Sequence, residues 1–147
     1  MLLLTGVLAI DRTSKAAALK FLADEHGIPV LPFFHLTYVE NTGTIFGLMN
    51  GANAFFIVFT LVVLMFLGWQ WRQLSEQRGG QAALSLITGG ALGNLYDRVF
   101  LGHVIDFLDF RVWPVFNIAD SCICIGAALL ALGLLRPAKQ DVQEKRQ

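Results

Sequence analysis

A chain of 147 residues that is 55% hydrophobic and only 15% charged, with a mean hydropathy of +0.59, has the composition of a membrane protein, because soluble domains carry about 25% charged residues. Eleven Lys and Arg against eleven Asp and Glu leave no net charge, so no global basic balance points to a nucleic-acid partner. Cys122 and Cys124 lie two apart in an apolar run, a spacing that points helical side chains in different directions, so no disulfide framework and no zinc site is readable in them.

The first 22 residues open with MLLLTGVLAI, are interrupted by DRTSK, and continue AAALKFL. A secretory leader places its basic residues before the apolar stretch; here the charges follow it, so a retained membrane helix is expected over about residues 1–22. Asp11 and Lys15 are spaced i, i+4 with the acid first, the favourable order for an ion pair on one helix face. Residues 23–53 differ in texture. They hold Pro29, Pro32, several glycines and the alternating run HLTYVEN, which suits a short strand in a small extramembrane platform. Residues 54–71 form the cleanest span, about the ~20 apolar residues a bilayer requires, with Trp69 and Trp71 at its end as an interfacial belt. A loop containing Arg72, Arg78, Gly79 and Gly80 leads to a third span over about 81–96 and a fourth over about 118–135. Residues 136–147 make a polar tail expected to be disordered.

The expected architecture is an all-α membrane protein, a single domain over residues 1–135 with four transmembrane helices and a small β-containing extracytoplasmic platform. The Arg72–Arg78 loop and the tail are basic, whereas the platform carries Asp24, Glu25 and Glu40 but no Lys or Arg. By the positive-inside rule both termini are then cytoplasmic and the platform lies outside. The segment between the third and fourth spans falls on the outer side as well. It carries Asp97, Arg98, Asp106, Asp109, Arg111 and, at its end, Asn117 and Asp120. Ionisable groups beside membrane segments are costly and usually face a protein interior or a wet cavity.

Each polar cluster has a plain reading beside a chemical one. Gly89 and Gly93 have the small-xxx-small spacing of close helix packing, and no Lys-Ser/Thr follows to make a phosphate loop. Asn94, Asp97 and Arg98 sit at i, i+3 and i+4: either they hold a helix end together, or Arg98 orients a substrate carbonyl or a neighbouring carboxylate through its rigid fork of donors. In HVIDFLDF, Asp106 and Asp109 face opposite ways if the segment is extended and share a face if it is helical. Asp109 is expected to be the solvent-facing partner of Arg111. Asp120 heads an apolar run, as a cap or dipole partner or as a working acid. Two such carboxylates brought together can share one proton, the chemistry of an aspartic hydrolase. His26, His35 and His103 have no metal-ligand spacing, and Ser121 lacks a Gly-x-Ser-x-Gly element and a histidine base.

Taken together, DRTSK (Asp11–Lys15), NTGTIFG (Asn41–Gly47), GGALGNLYDRV (Gly89–Val99), GHVIDFLDF (Gly102–Phe110) and WPVFNIADS (Trp113–Ser121) resemble, in order and spacing, the bacterial lipoprotein signal peptidases, also called signal peptidase II. The resemblance covers almost the whole chain except the tail. It implies an aspartic endopeptidase whose two catalytic carboxylates are Asp106 and Asp120. It also implies supporting roles for Asn41, Gly43, Asn94, Arg98 and Asn117, and structural roles for Asp11 and Lys15; Asp97 is assigned to the structural polar set. Two positions depart from the family pattern: Arg12 stands where Gln is common, and Ile45 where a small residue is usual. The implied substrate is a prolipoprotein carrying a diacylglyceryl group on a cysteine, cut just before that cysteine. The implied setting is a monomer among the lipids of the bacterial cytoplasmic (inner) membrane, with the site near the outer face. No metal or organic cofactor and no nucleic acid are called for.

Two rivals come from other classes. A small proton-coupled carrier or channel subunit would also hold intramembrane carboxylates, but at staggered depths, whereas Asp97, Asp106, Asp109 and Asp120 gather at one face. A structural assembly subunit leaves Asp120 and Asn117 without a purpose.

Overall fold

Asp11, Lys15 and Asp97, all buried, lie where two helices cross, and the rest of the fold is arranged about that crossing. A computed structural model of the chain describes residues 2–43 and 52–135. Four helices, α1 (Leu2–Leu22), α2 (Asn53–Ser75), α3 (Gly80–Phe100) and α4 (Ile118–Leu135), accompany three strands, β1 (Ile28–Leu31), β2 (Phe34–Asn41) and β3 (Val104–Asp109). The strands form one antiparallel sheet in the order β1-β2-β3. Helix α3 packs against each of the other three.

Small residues let α3 hold that position. A methyl group added at Gly89 would press on Val7 of α1, and one at Gly90 on the Ala119 carbonyl of α4; one at Gly93 would lie 2.6 Å from Asp11 Oδ2. The spacing of Gly89 and Gly93 is therefore helix packing, as expected. Gly126 of α4 returns the arrangement by lying against Ala83 and Ile87 of α3. Leu67 and Leu74 of α2 meet Leu84 and Ile87 of α3 in one apolar core, and Ala18 and Leu22 of α1 meet Ile105 and Phe107 of β3 in another.

Two helices, α2 and α4, are long and apolar enough by themselves to cross a membrane. Helices α1 and α3 carry Asp11, Arg12, Lys15, Lys20, Asp97 and Arg98, which sets them apart in composition. The helices also outrun the expected apolar spans. Helix α2 continues to Ser75 and α3 to Phe100, because nothing in Arg72–Ser75 or Asp97–Phe100 breaks a helix; the left-handed Gly102 (φ 83°) follows the end of α3, and the left-handed Gly79 (φ 76°) precedes its start. The platform is likewise not confined to residues 23–53. Its third strand comes from beyond α3, since HVIDFLDF pairs with β2, Val39 opposite Asp106 and His35 opposite Asp109. The expected tail, residues 136–147, and Ile45 lie outside the described residues.

Gly93→Val is expected to lower the thermal unfolding midpoint of detergent-purified protein sharply, because added methyls must displace the Asp11 carboxylate; overpacking of this kind costs about 1–3 kcal/mol. A midpoint equal to the parent's would mean that α1 and α3 are not held at this distance.

Candidate active site

Helix α4 opens on a reciprocal cap. Asn117 precedes its first residue and accepts the Asp120 N–H on its side-chain oxygen at 2.9 Å, while Asp120 Oδ2 accepts the Asn117 N–H at 3.2 Å. This is the capping-box pattern, in which two otherwise orphaned donors are satisfied by each other's residues. A third donor of the same turn, the Ala119 N–H, goes to Asp11 Oδ1 of α1 at 3.2 Å. Asp120 is therefore a cap partner, and it also lines a cavity.

The bridge between Phe116 and Leu108 ties the approach to α4 onto β3 and brings Asn117 beside Asp106. On β3, Ile105 and Phe107 pack toward α1, so by strand alternation Asp106 points to the other face. Asn117 donates its NH2 to Asp106 Oδ1 at 2.7 Å, and more weakly to Asn94 Oδ1 at 3.1 Å and to the Ile105 carbonyl at 3.3 Å. Asn94 donates to Asp120 Oδ1 at 2.7 Å. From β2, Asn41 donates to Asp106 Oδ2 at 2.9 Å and is itself held by the Gly43 N–H, at 2.9 Å from Asn41 Oδ1. Gly43 adopts φ 104° and any side chain there would strike the Phe56 ring, which explains glycine at that position.

Asp106 and Asp120 thus share Asn117 and open into one cavity of about 570 Å³, lined also by Asn41, Gly43, Phe56, Arg98 and Trp113. Burial, and then the negative charge of Asp120, push Asp106 up to about 7, against the opposing hydrogen bonds from Asn41 and Asn117. Arg98 makes no direct ion pair with either carboxylate among the described residues. Its guanidinium lies over the Phe56 ring, 5.1 Å from the centroid, within electrostatic reach of Asp120 and Asp106.

Behind this layer lies a second one. Asp11 and Lys15 pair at 3.0 Å, as their spacing predicts. Lys15 also binds Asp97 Oδ2 at 2.8 Å and donates to Asn94 Oδ1 at 2.8 Å. Arg12, which sequence reasoning noted only as a departure from a pattern, binds Asp97 at 2.6 Å and Asp11 at 3.0 Å, with its guanidinium 4.7 Å from the centre of the Tyr96 ring. Charge balance was the available signal: two buried acids with Lys15 alone leave one negative charge unmatched. Among the described residues no three His, Cys, Asp or Glu side chains gather into a cation-binding group, and Cys122 and Cys124 are free thiols.

Asp109 departs from expectation. It pairs with Arg111 at 3.2 Å, but it is only 6% exposed and is not solvent-facing, because Thr37 of β2 covers it with a hydroxyl donor at 3.1 Å. Burial pushes Asp109 up, yet the Arg111 N–H, the Thr37 hydroxyl and the Arg111 guanidinium outweigh it and hold the carboxyl below its usual range. These bonds also secure Arg111 in the left-handed region (φ 65°).

A four-helix chain with a three-stranded antiparallel sheet of this kind has solved counterparts. Two structures described as bacterial membrane enzymes, solved by the in meso method at 2.3 Å and 1.9 Å resolution, superpose with TM-scores of 0.82 and 0.79 at 30% and 31% identity. The first covers 99% of this chain and 93% of its own, the second 93% and 92%. The fold is that of a bacterial membrane enzyme. The family model for signal peptidase (SPase) II matches residues 3–136, and the chain belongs to that family. Relatives named lipoprotein signal peptidase include one from Halothermothrix orenii, 46% identical over 136 residues (90% of this chain, 92% of the relative), and one from Moorella thermoacetica, 42% identical over 146 residues (98% and 97%).

Asp109→Asn should reduce stability at neutral pH without a comparable loss of enzyme activity. The sign follows from the depressed carboxyl: its stabilising contribution is present above about pH 4, the unfolded value, and is lost as pH falls through the lower folded value. Thermal melts of parent and variant should therefore converge below about pH 4; a gap that persists or widens there would count against this assignment.

Proposed function

We propose that this protein is a membrane aspartic endopeptidase that removes signal peptides from prolipoproteins, cutting just before the diacylglyceryl-modified cysteine. The observation that carries the reading is the meeting of Asp106 and Asp120 at one cavity through a shared asparagine, in a chain of the signal peptidase II family. A water held between the carboxylates is deprotonated by the ionised member as it attacks the scissile carbonyl. The protonated member hydrogen-bonds the developing oxyanion, and the departing amine then takes a proton from the pair. Asn41, Gly43, Asn94 and Asn117 hold the carboxylates in place, and Arg98 lends its charge to the substrate side of the cavity.

The site belongs at the outer edge of a bilayer, in a single domain over residues 1–135 that crosses four times. Helices α1 and α3 support this count because their buried charges, Asp11, Lys15 and Asp97, are matched inside the protein, with the half-buried Arg12 completing the balance. Many of their outward residues are apolar, among them Leu3, Ile10, Leu19, Phe21, Val99 and Phe100, and Lys20 lies near the sheet end of α1. The α2–α3 turn, with Arg72 and Arg78, lies beside the start of α1 and the end of α4, at the end of the bundle away from the sheet. The positive-inside rule makes that end cytoplasmic. The lipid of the substrate then stays in the membrane while its peptide reaches the pair.

Asp106→Asn and Asp120→Asn should each abolish cleavage of a lipidated precursor peptide followed by mass spectrometry, and the double variant should be no worse than either single one. Wild-type activity should fall at low pH, when the pair takes a second proton, and again on the alkaline side of about 7, when Asp106 loses the shared one. A carboxyl raised in the fold costs stability above its unfolded value of about 4, increasingly until its folded value is passed. Asp106→Asn removes that cost, so it should melt above wild type at pH 8, with the gap narrowing toward pH 5. Substantial turnover by either single variant removes that residue from the mechanism.

For topology, a reporter inserted between Arg72 and Gly80 should be cytoplasmic and one within residues 23–41 exported. The reverse result would overturn the orientation.

A further inference from the structure

Lys15 is 1% exposed, lies on α1 and touches neither Asp106 nor Asp120. An ammonium group has three donors and no acceptor. All three are in use, toward Asp11 Oδ2 at 3.0 Å, Asp97 Oδ2 at 2.8 Å and Asn94 Oδ1 at 2.8 Å. The first two bonds serve charge balance, since Lys15 and Arg12 match Asp11 and Asp97 one for one. The third is surplus to that balance and has a different effect. Because Lys15 can only donate, the atom of Asn94 that faces it must be the oxygen. The NH2 must then face the other way, where Asp120 Oδ1 accepts it at 2.7 Å. A reversed amide would set donor against donor at Lys15 and acceptor against acceptor at Asp120. Asn117 fits the same polarity, with its NH2 directed at Asn94 Oδ1 and Asp106 Oδ1 and its oxygen accepting the Asp120 N–H.

We propose that Lys15 is a positioning residue for Asp120: by fixing which end of the Asn94 amide faces the pair, it holds Asp120 as the ionised, accepting member and leaves Asp106 to carry the shared proton. This rests on the two-carboxylate reading above and adds a division of labour to it. Asp120 takes a proton from water as the water oxygen bonds to the scissile carbonyl carbon, and Asp106 gives its proton to the carbonyl oxygen. The C–N electron pair then leaves with the amine, which is protonated by Asp120, while one hydroxyl of the tetrahedral diol gives its proton to Asp106 as the carbonyl reforms. The setting of the two acids agrees. Asp120 lies in the first turn of α4, at the positive end of the helix dipole, with the Asn117 N–H on its second oxygen. Asp106 lies on a strand and is pushed up to about 7, chiefly by burial.

The ionisable groups around the pair are few. Lys15, Asp11 and Arg12 come from α1, Asp97 and Arg98 from α3, and Glu40 from β2; α2 offers none before Arg72. Of these, Lys15 alone is joined to Asp120 through a hydrogen-bonded chain, by way of Asn94.

The test is the pH profile of kcat/KM for the purified protein on a lipidated precursor peptide, normalised to folded protein. In Lys15→Met, Asn94 is free to turn and the facing cation is gone. The pair should accept its second proton more readily, moving the acid limb up by about one pH unit. Turnover at the optimum should fall about tenfold, as expected when a hydrogen bond to a charged group is lost, with KM little changed. Lys15→Met combined with Asp11→Asn removes one charge of each sign, which keeps the buried cluster balanced and protects folding; it should show the same displacement. In an Asn94→Ala background, Lys15→Met should move the limb no further, because the chain is already cut. An acid limb that coincides with wild type in the single and the double variant, whatever the yield, would overturn the proposal and leave Lys15 a structural residue. That outcome is distinct from failure of the two-carboxylate reading, which would appear as turnover by Asp106→Asn or Asp120→Asn.

Discussion

The buried ion cluster of α1 and α3 is the constraint on which the rest of this structure depends. Two carboxylates in a dry helix crossing would be prohibitive alone, and removing one partner from such a group is strongly destabilising. Asp11 and Asp97 are each shared between Lys15 and Arg12, and each also reaches out of the cluster. Asp11 accepts the Ala119 N–H of α4, and Asp97 lies 3.5 Å from the Ile105 N–H of β3. A group that began as a charge-balance problem thus fixes where α4 starts and where β3 runs. Those are the two elements that carry Asp120 and Asp106.

Asparagine is the coupling residue throughout, for a chemical reason. An amide offers a donor end and an acceptor end on one rigid plane, so it passes polarity from one neighbour to the next without bringing a charge. Asn94 links the ion cluster to Asp120, Asn117 links Asp120 to Asp106, and Asn41 links Asp106 to the backbone of the loop at Gly43. Replacing any of these amides with a charged residue would set a further charge beside Asp106 or Asp120. Replacing one with an apolar residue would leave buried oxygens without donors, which is costly.

The local features were legible in the sequence and the long-range ones were not. The Asp11–Lys15 pair follows from i, i+4 spacing, the strand in HLTYVEN from alternation, and the role of Gly89 and Gly93 from small-residue spacing. The state of HVIDFLDF stayed open because its periodicity fits either form; pairing with β2, distant in sequence, decides it. The same distance hid Thr37 above Asp109, so a carboxylate assigned to solvent is buried. Arg12 was visible beside Asp11, but its place between two acids depends on Asp97, which no local pattern brings near. Arg98 could be read as holding the helix end or as orienting a carbonyl or carboxylate, and its place over the Phe56 ring depends on how α2 lies across α3.

Asp120 sits inside the capping box of α4, and this has a consequence for how the protein meets its surroundings. Its carboxylate is fastened to the helix's own first turn at Asn117, with little freedom to swing independently, so the orientation of the acid follows the orientation of the helix. Helix α4 is one of the two that match a bilayer by length and composition, and such helices answer a mismatch in hydrophobic thickness by tilting. A tilt of α4 is delivered to Asp120 directly, whereas it reaches Asp106 only through Asn117 and the bridge between Phe116 and Leu108. In a bilayer, a change of hydrophobic thickness that tilted α4 would act first on the acid fastened to it.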